Sequence, residues 1–241
     1  MNEYALEDSS LYTIYSIYDK PIIIFDDHNM ALPVWGTFSS RRNTSFNLVT
    51  FDFHTDTHPP FNSYLIDLDV DRVSGSKALD IPSVKQLLKD CRLSLADYSF
   101  EDSYKLSCSI LKNTEHILTA CALGYLKSYT IVHHDDAYGY EDDDRFNGLD
   151  ARYIESDIFA TLSSLNVPLP VALDFDLDYF RCEGDLNDTF FEKISPLVKN
   201  SSVITIAREP KYFEACKSEP KFSLTQAEKL LINGLESILK E

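Results

Sequence analysis

The chain has 241 residues, 44% of them hydrophobic and 12% aromatic, enough for one sizeable core. Lysine and arginine number 22 against 39 aspartates and glutamates; the net charge of −17 denies a nucleic-acid binder its basic face and would attract metal ions or a basic substrate. No stretch approaches the roughly 18–20 continuous apolar residues of a membrane span, and the start MNEYALEDSS is acidic where a signal peptide is basic and then apolar, so a cytoplasmic protein without membrane association is expected.

No Gly/Ser-rich or Pro-rich linker divides the chain, so residues 1–241 read as a single domain. The five cysteines (Cys91, Cys108, Cys121, Cys182 and Cys216) are odd in number, widely spaced and free of any CxxC pair, a pattern of reduced, mostly structural thiols.

In chain order, residues 21–25 (PIIIF) read as the first buried strand, followed by Asp26, Asp27, His28 and Asn29. Residues 48–51 (LVTF) form the second, followed by Asp52, His54, Asp56 and His58 at alternate positions. Residues 81–93 then place Val84, Leu87, Leu88 and Cys91 on one helical face, and residues 115–128 do the same for Ile117, Leu118, Cys121, Ala122 and Tyr125. A third strand, 129–132 (YTIV), runs into His133, His134, Asp135 and Asp136. The acidic run 141–145 (EDDDR) reads as a solvated loop. The fourth strand, 171–175 (VALDF), carries Asp174 and leads into Asp176 and Asp178; the fifth, 203–207 (VITIA), leads into Arg208 and Glu209. Residues 223–239 close the chain as a helix with Ser223 at its N-cap. Strands alternating with helices predict an α/β fold, a mainly parallel sheet with helices on both faces. Such sheets bind ligands outside the carboxyl ends of their strands, so the polar clusters after all five strands predict one shared site.

Asp52, His54 and Asp56 share one side if the extended backbone persists, and Asp176 and Asp178 repeat the device on another strand. Carboxylates gathered in this way repel one another and need cations. An oxygen-rich set with one or two imidazoles suits Mn2+ or another divalent first-row metal better than a thiolate zinc site. Four carboxylate charges balance two dications, and paired metals roughly 3.5–4 Å apart acidify a shared water.

FDFHTD together with LDFDLDYF resembles the paired Asp-x-His-x-Asp and Ser-x-Asp-x-Asp signatures of the arginase/ureohydrolase superfamily, and within it the peptide arginase branch, where a segment like DDHNMALPVW (26–35) follows the first strand. The resemblance implies an arginase/deacetylase-like three-layer sandwich holding two Mn2+ ions. It implies His28 and Asp56 on one metal, His54 and Asp178 on the other, and Asp52 and Asp176 bridging both. Asp174 stands where many arginases have serine; it is either an acceptor orienting a ligand or, with the register moved by two residues, a ligand itself. Glu209 falls where arginases keep a carboxylate facing the guanidinium, which a carboxylate grips through two parallel hydrogen bonds; the alternative is a structural pair with Arg208 or another cation.

His58, His116, His133 and His134 are further imidazoles, and His58 and His134 are the candidates carried forward as proton shuttle for the leaving amine. His116 opens a helical pattern, where a cap-adjacent or core histidine is commoner, and Trp35 reads as core packing. The expected activity is a manganese-dependent hydrolase of a guanidino group, converting arginine in a peptide to ornithine with release of urea. Its partner would be an arginine-containing peptide or a small guanidino substrate, with homo-oligomers common in the superfamily. The alternatives are a metal-dependent deacetylase and a non-catalytic protein that binds metal or a basic peptide.

Overall fold

The computed structural model describes residues 11–58, 60, 105–108, 111–134, 149–162 and 165–241. The expected helix over 81–93 and the acidic run 141–145 lie outside the described residues. Among the described residues seven strands form one sheet in the order β1-β2-β7-β6-β3-β4-β5. They are β1 (Thr13–Ile17), β2 (Lys20–Phe25), β3 (Phe46–Phe51), β4 (Leu126–His133), β5 (Asp150–Glu155), β6 (Val171–Asp176) and β7 (Ser201–Ala207). Only β1, which hairpins back on β2, runs antiparallel; the other pairings are parallel. All five expected strands are present, each lengthened at one or both ends. The two that the apolar pattern misses, β1 and β5, are the sheet's edges, where partial exposure removes the need for a continuous apolar run.

Among the described residues the helices are α1 (Ala31–Arg42), α2 (His116–Leu123), α3 (Ser156–Thr161), α4 (Asp188–Asn200), α5 (Pro210–Cys216) and α6 (Leu224–Lys240). Two apolar layers make a three-layer α/β sandwich. On one face of the sheet, Leu48, Ile131, Ala172 and Val203 pack with Trp35 and Phe38 of α1 and Ile117 and Leu118 of α2. On the other, Val49, Phe51, Leu173, Phe175 and Ile204 pack with Ile194 and Leu197 of α4 and Leu231 and Leu235 of α6. Each such buried side chain contributes about 1.5–3 kcal/mol, and the period of two in the strands assigns alternate residues to the two layers.

Helix α2 is shorter than the expected 115–128. Gly124 takes a left-handed conformation (φ 79°) and caps the helix after Leu123, and the chain enters β4 at Leu126. At the other end of the chain Ser223 is the N-cap of α6, its hydroxyl accepting from the Gln226 amide at 3.2 Å. Trp35 is fully buried, and its indole donates to Thr205 Oγ1 at 3.3 Å.

Candidate metal centre

The carboxyl ends of β2, β7, β6 and β3, four neighbouring strands, deliver the candidate ligands to one place. His28 follows β2 in a short 3-10 turn, Glu209 follows β7, Asp176 ends β6 with Asp178 just beyond, and Asp52, His54 and Asp56 follow β3. His28, Asp52, Asp176 and Asp178 are at most 1% exposed, and Asp56 and Glu209 are 6% exposed. These carboxylates are not solvated surface groups.

A polar row beneath the cluster sets its orientation. Thr50, Asp174 and Thr205 are register partners on β3, β6 and β7, so their side chains stand side by side in an otherwise apolar layer. Thr50 Oγ1 donates to Asp174 Oδ2 at 2.8 Å, and Thr205 Oγ1 donates to Asp174 Oδ1. His28 Nε2 lies 2.8 Å from Asp174 Oδ2. Burial alone would raise the Asp174 pKa; the His28 ring and these donors outweigh it and hold the carboxyl below its ordinary value. Asp174 is thus a satisfied acceptor that fixes the His28 ring, with the ring hydrogen on Nε2.

The other ring nitrogen meets a different environment. His28 Nδ1 lies 3.1 Å from Asp176 Oδ2, 3.2 Å from Asp56 Oδ2 and 3.5 Å from Asp52 Oδ2. Among the described residues neither His28 Nδ1 nor Asp52 Oδ2 has a hydrogen-bond partner, although both are fully buried. Each such orphan costs about 1–3 kcal/mol. A nitrogen lone pair and three carboxylate oxygens converging on one point are satisfied together by a divalent cation, so the residues fit one. In its absence a proton is the substitute: burial would lower the His28 pKa, but Asp174, Asp176 and Asp56 raise it well above 6.5. The carboxylates show the same crowding. Burial first, then Asp56, Asp178 and Asp176, raise the Asp52 pKa well above the usual range, and burial with Asp178 raises Asp176 to about 7.

A second locus adjoins the first. His54 Nδ1 is 3.2 Å from Asp178 Oδ2 and 3.9 Å from Asp52 Oδ1, and the His54 side chain remains 39% exposed. Burial would lower its pKa, but Asp178, Asp56 and Glu209 raise it. Backbone amides hold the carboxylates in place: His54 N donates to Asp52 Oδ1 at 2.8 Å, Phe53 N to Asp178 Oδ1 at 3.1 Å, and Asp178 N to Asp176 Oδ1 at 3.2 Å. Asp52 therefore presents its two oxygens to the two loci. Ligand atoms of Asp176, Asp178 and Glu209 lie within 4.8 Å of one another, as do those of His54, Asp178 and Cys216.

Glu209 is in a left-handed conformation (φ 38°), as is Asp56 (φ 47°). For residues other than glycine this backbone is unfavourable, and it recurs where geometry serves a site. Glu209 Oε1 accepts from the His28 amide at 3.2 Å and from the Asn113 side-chain amide. Burial and then Asp176 push the Glu209 carboxyl up to about 9. Arg208 does not pair with it; the guanidinium binds Glu228 at 2.6 Å and Asp26 at 3.2 Å.

The remaining imidazoles separate into different roles. His134 Nε2 faces the Tyr179 carbonyl at 2.9 Å and its Nδ1 faces Ser156 Oγ at 3.1 Å, so both nitrogens are engaged in tying loops together. His133 Nδ1 binds the His134 carbonyl at 3.0 Å. His58 is half-buried two residues past Asp56; burial lowers its pKa against opposing pulls from Asp56 and Glu115. Sequence reasoning missed Asn113, whose contact with Glu209 spans 96 residues, and it read His116 as a cap-adjacent or core histidine without seeing that the ring packs on His28, with centroids 4.3 Å apart.

No protein-family model matches the sequence, and no curated protein matches it either. Among solved structures, the chain is similar to the arginase from Medicago truncatula with a TM-score of 0.48 and 12% identity. The match covers 90% of this chain and 59% of that one, so this chain spans about three fifths of the arginase's length. The sheet order and the side-chain geometry stand without that likeness.

Proposed function

We propose that the protein is a single-domain hydrolase that holds two divalent first-row cations, Mn2+ among them, and cleaves a guanidino group. The carrying observation is the convergence of an unpartnered His28 Nδ1 and three carboxylate oxygens within 3.5 Å. His28, Asp52, Asp56 and Asp176 would hold one ion; His54, Asp52, Asp176 and Asp178 would hold the other, with Asp52 and Asp176 shared.

Bound there, the ions would supply Lewis-acid charge and make a water acidic enough to ionise near neutral pH. The chain's own residues do the rest. Asp174 fixes the His28 ring, and the backbone amides of Phe53, His54 and Asp178 aim the carboxylates. Glu209 has Oε1 already engaged by His28 and Asn113. Among the described residues Oε2 accepts no hydrogen bond, which leaves it to receive a guanidinium N–H. His58 is the remaining proton-shuttle candidate, since both nitrogens of His134 are engaged.

A cavity of about 680 Å³ opens beside the centre, lined by Asp26, Asp27, Asn113, Thr114, Arg208 and Tyr212 among others. Asn113 connects it to Glu209. Its size and the Asp27 carboxylate suit an arginine carried on a peptide, whose product would be an ornithine residue and urea. The test is incubation of Mn2+-loaded protein with arginine-containing peptides, free arginine and acetyl-lysine peptides. Urea release with conversion of a peptide arginine to ornithine supports the reading; urea from free arginine alone narrows it to a small guanidino substrate. Acetate from the acetyl-lysine peptides, or no turnover of any substrate, overturns it.

A further inference from the structure

His116 is an imidazole beside the centre to which the reading above gives no role. It opens α2, fully buried, with its ring between those of His28 (4.3 Å) and Trp35 (5.4 Å). Its Nδ1 faces the Asn113 carbonyl, which can only accept, so Nδ1 carries the hydrogen of the neutral ring. Nε2 is then a bare lone pair, and among the described residues nothing donates to it. The Trp35 indole beside it donates to Thr205, and the Thr119 hydroxyl one turn along α2 donates to the Glu115 carbonyl at 2.7 Å. A ring nitrogen of His116 lies within 4.8 Å of ligand atoms of both His28 and Asp56. With Nδ1 committed to the carbonyl, Nε2 is the nitrogen left for that group.

We infer that His116 Nε2 is a further ligand of the ion held by His28, Asp52, Asp56 and Asp176. The inference rests on the proposed ion centre. A core histidine would end its account at Trp35 packing, whereas the orphaned lone pair beside a cation site needs a partner that packing does not supply. Two imidazoles on one ion move its preference from Mn2+ toward Fe2+, Co2+ or Zn2+, because affinity for nitrogen ligands rises along the divalent series. The Asn113 carbonyl plays for His116 the part that Asp174 plays for His28, fixing the tautomer from behind.

Paramagnetic NMR of the full chain, 15N-labelled at histidine and tryptophan and loaded with Co2+, tests this without measuring activity. An N–H on a ligating ring carries a large through-bond shift, and an N–H on an unbonded neighbour carries only the smaller dipolar one. The His28 Nε2–H serves as the ligating reference and the Trp35 indole N–H as the unbonded one. The expected result is a His116 Nδ1–H shifted like that of His28 and missing from His116→Gln. A His116 resonance that groups with Trp35 overturns the inference, a buried water then being the partner of Nε2. If His28 itself fails to shift on Co2+ addition, the ion centre is overturned and the inference falls with it; the unsubstituted protein alone distinguishes these outcomes should His116→Gln fail to fold.

Discussion

Asp174 and Asp176 sit two residues apart on β6 and are both at most 1% exposed, yet their electrostatics are opposite. Asp174 accepts from Thr50 and Thr205 and anchors the His28 ring, and its pKa falls. Asp176 receives one backbone amide, faces further carboxylates, and rises to about 7. Burial is the same for both, so burial does not decide which buried charge is stable. The supply of donors does. One strand carries a completed foundation and, one pleat further on, an incomplete shell that a cation would finish.

Substitutions on either side of that contrast separate the two roles. Asp174→Asn is expected to cost the most stability, about 3–5 kcal/mol with or without metal, because it unpairs a buried ion pair; denaturant midpoints measure it. Asp176→Asn is expected to lower the proposed hydrolysis roughly 10²–10³-fold, the scale of losing one preorganised electrostatic group, while stabilising the metal-free fold. Thermal melts with and without Mn2+ check that reversal, and a metal-free Asp176→Asn protein less stable than the parent would erase the contrast. Thr205→Val removes one hydrogen bond to a charged acceptor and is expected to cost about 1.5–3 kcal/mol in chemical denaturation.

A comparable effect is expected on pH dependence. Asp176 ionises in the unfolded chain near its ordinary value of 3.8 but in the metal-free fold only near 7. Between those values the native state holds more protons than the unfolded state, so stability falls as pH rises. The raised His28 acts in the same direction, its contribution being lost as pH climbs through its folded value. Metal-free protein is therefore expected to melt roughly 5–10 °C lower at pH 8 than at pH 5, the equivalent of about 2–3 kcal/mol at this length; saturating Mn2+ should flatten the slope in calorimetry.

Much of this was readable in the sequence because the candidate ligands follow buried strands at alternate spacing, and a parallel sheet sends such ends to one edge. The DFDLD run allowed two overlapping ligand pairs, and only the cross-strand row of Thr50 and Thr205 distinguishes the inner aspartate from the outer ones. Asn113 and His116 left no local trace. Each gains its place from contacts with residues about 90 positions away, and a single polar residue beside a helix start has no periodicity to betray it. The edge strands β1 and β5 escaped notice because partial exposure relaxes the demand for apolar residues.

The backbone at Glu209, with φ of 38°, suits glycine or asparagine better than glutamate, and the misfit costs roughly 1–2 kcal/mol. A directed-evolution library screened for heat resistance alone should therefore discard this side chain among its first changes, and the hardier clones it returned would have traded away the grip proposed here for a guanidinium.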